Sequence, residues 1–154
     1  MPKAPSQKEA TMLDQLRRAG LKLTAQRLAV VREIADDCSH PTAQELFERL
    51  QAGLPKMSFA TVYNTLDALV SAGLCTPRVL SPGATRFDPN TLPHHHAVCD
   101  RCGLVIDIPS EIGKSASIGS ARSCSAPRAP KLPAGFAVRA VEQIVRGSCA
   151  SCSH

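Results

Sequence analysis

The sequence predicts an α+β protein in which an N-terminal winged helix-turn-helix domain precedes a smaller domain closed by a four-cysteine zinc site. Four stretches with helical spacing of apolar residues are followed by a short hairpin pattern, and two Cys-x-x-Cys pairs lie further along the chain. Helices closed by a hairpin are the order of a winged helix, and paired thiol turns are typical of structural zinc. The proline-bounded "PNTLP" at residues 89–93 is the predicted hinge between domains at 1–88 and 94–154.

The first two predicted helices cover residues 8–18 and 25–37. Apolar residues recur in both at the spacing of an amphipathic helix. Gly20 stops the first helix, and Thr24 is a good N-cap for the second. The inward positions are Leu13 and Leu16 in the first helix and Leu28, Val31, Ile34 and Ala35 in the second.

Two further helices are predicted behind hydroxyl N-caps. Thr42, with Glu45 three residues later, forms a capping box, and Gly53 ends that helix. Ser58 caps a helix over residues 59–72. The inward positions are Leu46, Phe47 and Leu50 in the third helix and Phe59, Val62, Leu66, Leu69 and Val70 in the fourth.

The hairpin predicted after the fourth helix supplies the wing. Its strands are "LCTPRVL" at 74–80 and "TRFD" at 85–88, joined by a Ser-Pro-Gly-Ala turn. In a winged helix the fourth helix enters the major groove of DNA, and its N-terminal end favours phosphate. Small, hydroxyl and amide groups suited to base edges stand at that end, namely Ala60, Thr61, Tyr63 and Asn64. An ordinary helix surface explains these residues equally well.

The positive charge of the chain is concentrated at its start. Residues 1–32 hold seven lysines and arginines against two carboxylates, a net charge of +5 that equals the net charge of the whole chain. A basic block on helices favours a polyanion such as double-stranded DNA, although a solvated helix face is the alternative. The predicted DNA-binding residues are Arg18, Lys22, Thr24, Arg27, Ser58, Ala60, Thr61, Tyr63 and Asn64.

The cysteines favour metal binding over a disulfide framework. No apolar run reaches the roughly 20 residues of a membrane span, and "MPKAPSQKEATMLDQL" lacks the apolar core of a secretory signal, so we expect a reducing cytoplasm. Two Cys-x-x-Cys pairs suit one Zn²⁺ ion per chain, with a thiol redox protein as the alternative. The predicted zinc ligands are Cys99, Cys102, Cys149 and Cys152, whereas Cys38, Cys75 and Cys124 are expected to be buried or incidental.

The stretch "HHHAV" at 94–98 suggests a second metal site. In a strand His94 and His96 share one face and His95 points to the other. Two imidazoles need further ligands, and Asp107 lies in the apolar run "LVIDI", where a carboxylate requires a partner. Imidazoles with carboxylates suit Fe²⁺ or Mn²⁺, although Zn²⁺ also binds them. The candidate ligands are His40, Asp88, His94, His96 and Asp107, and a polar turn or a metallohydrolase site are the alternatives.

Ordered pieces along nearly the whole chain carry a resemblance to a known family. These pieces are "GLKLTAQRLAVV", "HPTAQELF", "SFATVYNTLDALVSAGL", "RFDPN", "HHHAVCDRCGLVID", "GF" and "CASC". The chain thereby resembles the ferric uptake regulator family of bacterial metal-dependent repressors. The resemblance implies a C-terminal α/β dimerisation domain, a homodimer on palindromic operators, a structural zinc and a regulatory metal between the domains. It implies a regulator in the bacterial cytoplasm rather than an enzyme.

Within that family, the five candidate ligands match those of the peroxide-sensing branch. The resemblance then implies that peroxide reacts at Fe²⁺ and oxidises His40 or His94, whereas Mn²⁺ resists the reaction. An iron-responsive repressor, or a manganese- or zinc-responsive relative, is the alternative, and the iron-sensing branch usually has glutamates in place of Asp88 and Asp107. One departure stands out, because residues 109–134 replace a family helix with a Gly- and Pro-rich stretch that we expect to be flexible.

Overall fold

A computed structural model describes residues 4–80, 83–109, 132–139 and 141–153 of the chain. The chain divides into two compact units, Met1–Leu92 and Pro93–His154. Helices fill the first unit beside a small hairpin, and the described part of the second contains a sheet and a short 3-10 helix. The predicted α+β class is therefore confirmed.

Four helices form the N-terminal unit, and each begins behind a hydroxyl N-cap. The cap side chain accepts a hydrogen bond from the backbone N–H three residues later in all four helices. The capping box of Thr42 and Glu45 is present, with the Thr42 N–H donating to Glu45 Oε2 over 2.8 Å. The helices are α1 Gln7–Arg18, α2 Ala25–Ala35, α3 Ala43–Gly53 and α4 Phe59–Ser71, capped by Ser6, Thr24, Thr42 and Ser58.

The apolar faces of these helices meet in one core. Its fully buried members include Leu16, Val31, Ile34, Leu46, Val62, Leu66 and Leu69. The prediction that Phe59 points inward is wrong, because its side chain is 43% exposed. Phe59 is the first residue of α4, and its ring packs edge-on against Phe47 of α3 at 5.9 Å between ring centroids, a contact that covers only part of it.

The wing consists of two antiparallel strands, β1 (Thr76–Arg78) and β2 (Arg86–Asp88). Both strands are shorter than the sequence predicted, and residues 81 and 82 of the predicted turn lie outside the described residues. An isolated bridge joins Thr42 to Arg86, and the Phe87 N–H donates to the Pro41 carbonyl over 2.9 Å. The segment before α3 is thereby fastened to β2.

The described part of the C-terminal unit contains three strands in the order β4-β3-β5. Strand β3 (His94–Cys99) pairs antiparallel with β4 (Val105–Pro109) and parallel with β5 (Ile144–Gly147). In the β-like run predicted over 135–147, the described residues before Ile144 form no strand, so the prediction is wrong there, and β3 pairs with the run only from His96↔Ile144 to Cys99↔Gly147. Residue 140 lies outside the described residues. Most of the atypical segment 109–134, including Cys124, lies outside the described residues.

Among the described helices, none combines the length and the apolar character that a membrane crossing requires.

Candidate functional site

The N-terminal end of α4 presents a polar surface. Ser58 Oγ accepts the Thr61 N–H over 3.1 Å and lies 2.8 Å from Thr61 Oγ1, so both hydroxyls are engaged in the cap. Ala60, Tyr63 and Asn64 are exposed. The first turn therefore offers small and amide groups together with the positive end of the helix dipole, a combination that suits phosphates and base edges.

A surface depression of 290 Å³ joins this end of α4 to the start of α2. Arg27 Nη1 donates to the Lys22 carbonyl over 2.7 Å, which orders the turn before α2. Five of the predicted DNA-binding residues line this depression, and Gln26 is a further lining residue that the sequence pattern did not indicate. The lining is Lys22, Thr24, Gln26, Arg27, Thr61 and Asn64.

Four residues of the predicted DNA-binding set do not line this depression, namely Arg18, Ser58, Ala60 and Tyr63. Arg18 forms an i,i+4 ion pair with Asp14 at 2.8 Å on the exposed face of α1. Tyr63 is 53% exposed and lines a groove of 490 Å³ between α4 and the wing, together with Phe59 and Phe87. Arg18 and Tyr63 are therefore exposed at other places on the N-terminal unit.

Two of the candidate metal ligands lie in the N-terminal unit and are fully buried. His40 Nε2 is 3.6 Å from Asp88 Oδ1. His40 Nδ1 is 3.1 Å from the Cys38 carbonyl, which can accept only from a protonated nitrogen. This contact selects the Nδ1–H tautomer and leaves the Nε2 lone pair directed toward Asp88. The Asn90 N–H donates to Asp88 Oδ1 over 2.7 Å and fixes the carboxylate.

The other three candidate ligands lie in the C-terminal unit. His94 Nε2 and His96 Nε2 are 3.0 Å apart, and Asp107 Oδ1 is 3.4 Å from the first and 3.7 Å from the second. Two nitrogens bound at right angles to one ion at about 2.1 Å are about 3.0 Å apart. The spacing and the mixed nitrogen and oxygen donors therefore fit a divalent ion such as Fe²⁺, Mn²⁺ or Zn²⁺.

Two neighbours distinguish the histidines of β3. His95 points away from the other two, and its Nδ1 accepts the Gln143 N–H over 3.2 Å, which accounts for it as a structural residue. Glu142 Oε1 lies 3.2 Å from His96 Nδ1, on the side of the ring opposite Asp107. A carboxylate behind a ligating imidazole raises its basicity. The sequence pattern gave no sign of this contact, because it joins segments 46 residues apart.

The four predicted zinc ligands converge at the end of β3 and the chain segment after β5. Their sulfur atoms all lie within 4.8 Å of one another. Cys102 Sγ and Cys149 Sγ are 3.7 Å apart, and a tetrahedral zinc with bonds of about 2.3 Å requires about 3.8 Å between sulfurs. The two pairs thus build one four-sulfur site that fits Zn²⁺, which argues against two independent redox pairs.

The thiols of this cluster differ in acidity. Backbone N–H groups of Cys149 and Cys102 direct hydrogen bonds at the Cys99 sulfur and lower its pKa to about 6. Contacts with the Cys149 and Cys102 thiols raise the pKa of Cys152 to about 12. Zinc must therefore displace protons from the cluster when it binds.

The remaining described cysteines lie in the N-terminal unit, where Cys38 is exposed and Cys75 is buried. Burial and the negative charge of Asp88 raise the pKa of the Cys75 thiol to about 12. Cys75 is therefore an inert thiol at neutral pH.

The chain is a metal-binding protein of the winged-helix class. Its first unit is a winged helix, its second contains a sheet and a four-sulfur zinc site, and both units carry imidazole and carboxylate ligands. Residues 18–121 match the model of the Ferric uptake regulator family. The chain belongs to this family, as the resemblance predicted.

A peroxide-responsive repressor is similar to part of the chain. The "Peroxide-responsive repressor PerR" of Staphylococcus epidermidis is 38% identical over 92 residues, which are 60% of this chain and 61% of that protein. The chain thus spans about three fifths of the length of this curated relative.

Two solved structures agree over most of their length. The ferric uptake regulator of Vibrio cholerae has a TM-score of 0.63 at 26% identity, with 88% of this chain and 98% of that chain covered. PerR from Streptococcus pyogenes has a TM-score of 0.52 at 26% identity, with 99% and 97% covered.

Proposed function

We propose that the chain is a metal-dependent transcriptional repressor that binds palindromic double-stranded DNA as a homodimer and releases it when peroxide is present. It is a regulator rather than an enzyme, and it acts in the bacterial cytoplasm. The observation that carries the proposal is the division of the imidazole and carboxylate ligands between the two units. His40 and Asp88 belong to the first, and His94, His96 and Asp107 belong to the second.

A single ion that takes ligands from both units restricts their relative movement. The DNA-binding unit of each protomer is then held at the spacing of successive major grooves, about 34 Å along B-DNA. Metal binding favours DNA binding to the extent that the ion prefers the restricted state. A preference of about 3 kcal/mol increases DNA affinity about 150-fold.

The ligand set also supports peroxide sensing. Fe²⁺ held by these residues would catalyse the reaction in which peroxide transfers one oxygen atom to a nearby imidazole and its other oxygen leaves as water. His40 and His94 each turn Nε2 toward a carboxylate, so one oxygen atom added to either ring removes a donor from the set. His40, Asp88, His94, His96 and Asp107 would hold the ion, and imidazoles mixed with carboxylates suit Fe²⁺. The relative from S. epidermidis is named a peroxide-responsive repressor.

An iron-responsive repressor is the second candidate. The ferric uptake regulator of V. cholerae matches the chain at a TM-score of 0.63, against 0.52 for the peroxide sensor of S. pyogenes. Both candidates share the same DNA-binding unit and metal ligands and differ in whether a ligating histidine is oxidised.

Selection of DNA from a random-sequence duplex pool tests the repressor function. We expect the Mn²⁺-loaded protein to enrich a palindrome, and we expect the same protein treated with a chelator that leaves the zinc in place to enrich none. The variants Asp88→Ala and Asp107→Ala should lose the enrichment while keeping their zinc. Enrichment that is unaffected by Mn²⁺ or by these variants would refute a metal-dependent switch.

A further inference from the structure

An arginine of the wing, Arg86, contacts the loop that carries the candidate ligand His40. The sequence pattern does not indicate this contact. We propose that Arg86 is a positioning residue for His40, holding the loop that carries this ligand in the conformation that directs its imidazole at Asp88. The inference rests on the metal site of the proposed function and adds to it a residue that binds no metal itself.

The backbone of His40 requires outside support. Among the described residues, His40 is the one non-glycine residue with a positive φ, at 52°. A residue with a side chain adopts this left-handed region infrequently, and it persists where surrounding contacts determine it. The conformation of His40 therefore depends on the groups that hold its peptide units.

Arg86 provides the principal contact of this kind. Its Nη1 donates to the His40 carbonyl over 2.8 Å and to Glu45 Oε2 over 3.3 Å, and its side chain is 16% exposed. The same Glu45 oxygen accepts the Thr42 N–H at the start of α3. One carboxylate thus anchors both the guanidinium and the first turn of the helix that follows the loop.

Strand β2 connects this arrangement to the second ligand. The bridge between Thr42 and Arg86 and the bond from the Phe87 N–H to the Pro41 carbonyl align the loop with β2. Asp88 ends the same strand, two residues after Arg86. Arg86 therefore sets the position of the His40 main chain relative to the strand that carries Asp88.

The orientation of the ring follows from the same loop. His40 Nδ1 meets the Cys38 carbonyl at 3.1 Å, so the loop supplies both the ligand and the group that fixes its tautomer. Without the guanidinium, the carbonyl of His40 loses its donor, and the loop can leave the left-handed conformation. Nε2 then no longer faces Asp88.

The test compares Arg86→Gln with Arg86→Lys in the full-length, zinc-loaded protein. The probe is Mn²⁺ alone, with the free ion measured by electron paramagnetic resonance. We expect Arg86→Gln to lower Mn²⁺ affinity about 10-fold to 100-fold, the usual effect of losing a group that orients a ligand. Arg86→Lys retains a cationic donor and should recover most of this loss.

A second readout does not depend on metal. In the protein without Mn²⁺, the ring ¹⁵N shifts and the ¹³Cα and ¹³Cβ shifts of His40 report its tautomer and its φ. We expect both to change in Arg86→Gln and to return toward the wild-type values in Arg86→Lys. If Arg86→Gln does not fold, Glu45→Gln keeps an acceptor for the Thr42 N–H, removes the charge facing Arg86, and should produce the same change.

Arg32→Gln is the matched control, because it removes another arginine ion pair of the N-terminal unit, Arg32 Nε to Glu9 Oε1 at 2.9 Å, away from the His40 loop. It should leave Mn²⁺ affinity and the His40 shifts unchanged. Folded Arg86→Gln protein with wild-type Mn²⁺ affinity and wild-type His40 shifts would overturn the proposal. Wild-type Mn²⁺ binding that Asp88→Ala does not weaken would instead refute the metal site, and the His40 shifts would still decide the role of Arg86.

Discussion

The two units of the chain are stabilised by different means. In the N-terminal unit, four helices bury a continuous core that includes Leu16, Leu46 and Leu66. In the described part of the C-terminal unit, Val98 and Val105 are buried, whereas Ile106 and Val145 remain 51% and 43% exposed. The first unit therefore depends on apolar packing. We expect the second to depend on zinc at the four-cysteine site, because zinc binding to such a site contributes about 10–16 kcal/mol.

Loss of the zinc site should cause the largest loss of structure, and this loss should be limited to the C-terminal unit. We expect Cys99→Ser to abolish zinc binding and to unfold β3, β4 and β5 while the helices of the N-terminal unit persist. Zinc content measures the loss of the metal, and residue-resolved hydrogen exchange measures the unfolding of each unit separately. Cys38→Ser, a change at an exposed cysteine of the other unit, is the control. A zinc-free Cys99→Ser protein with a protected sheet would show that the metal is dispensable for folding.

A cavity in the helical core should destabilise the N-terminal unit and leave the zinc site intact. Leu66 is fully buried, and Leu66→Ala should lower the free energy of unfolding of the N-terminal unit by about 2–5 kcal/mol. Urea unfolding followed by circular dichroism at 222 nm gives this value, and zinc content should remain at one ion per chain. Val79→Ala, at a side chain 74% exposed, should change stability by less than about 0.5 kcal/mol. Comparable losses in the two variants would contradict the assigned core.

A change at the depression between α2 and the start of α4 should affect DNA binding and not metal binding. Arg27→Ala removes a cation from this depression and the bond to the Lys22 carbonyl. We expect DNA affinity to fall roughly fivefold to tenfold with unchanged Mn²⁺ affinity. Fluorescence anisotropy with a selected duplex, repeated at several salt concentrations, should also show a shallower salt dependence. If Arg27→Ala lost Mn²⁺ binding instead, the assignment of Arg27 to DNA binding would be wrong.

The smallest expected effect is a pH dependence of the N-terminal unit. Burial raises the pKa of Cys75 from 9.0 to about 12, so the folded protein keeps this proton after the unfolded chain has released it. The stability of the unit is therefore fully present below pH 9 and declines above it, by about 1 kcal/mol from pH 8 to pH 10. Urea unfolding of the wild type and of Cys75→Ala at both pH values isolates this contribution. An equal decline in Cys75→Ala would exclude the thiol as its source.

Local signals in the sequence predicted most of the helical unit. Thr24, Thr42 and Ser58 cap helices where the sequence placed them, because a capping hydroxyl acts on a backbone N–H only three residues away. The four cysteines also converge as predicted. Phe59 was predicted wrongly because helical periodicity does not show which turns of a helix are covered by neighbours.

Contacts between segments that are distant in the sequence could not be predicted from the sequence. Arg86 donates to the carbonyl of His40, which lies 46 positions earlier in the sequence. Glu142 contacts His96, which is equally far from it in the sequence. The length of β5 was also not predictable, because a parallel partner strand sets it rather than the apolar pattern of the segment. Such features depend on which segments pair, and a single sequence contains no direct record of pairing.

Peptide mass spectrometry shows whether peroxide oxidises a histidine of the metal site. Fe²⁺-loaded and Mn²⁺-loaded protein are treated briefly with peroxide and digested. We predict one added oxygen atom on His40 or His94 in the iron sample and none in the manganese sample. Unmodified histidines in both samples would contradict peroxide sensing and leave an iron-responsive repressor as the function.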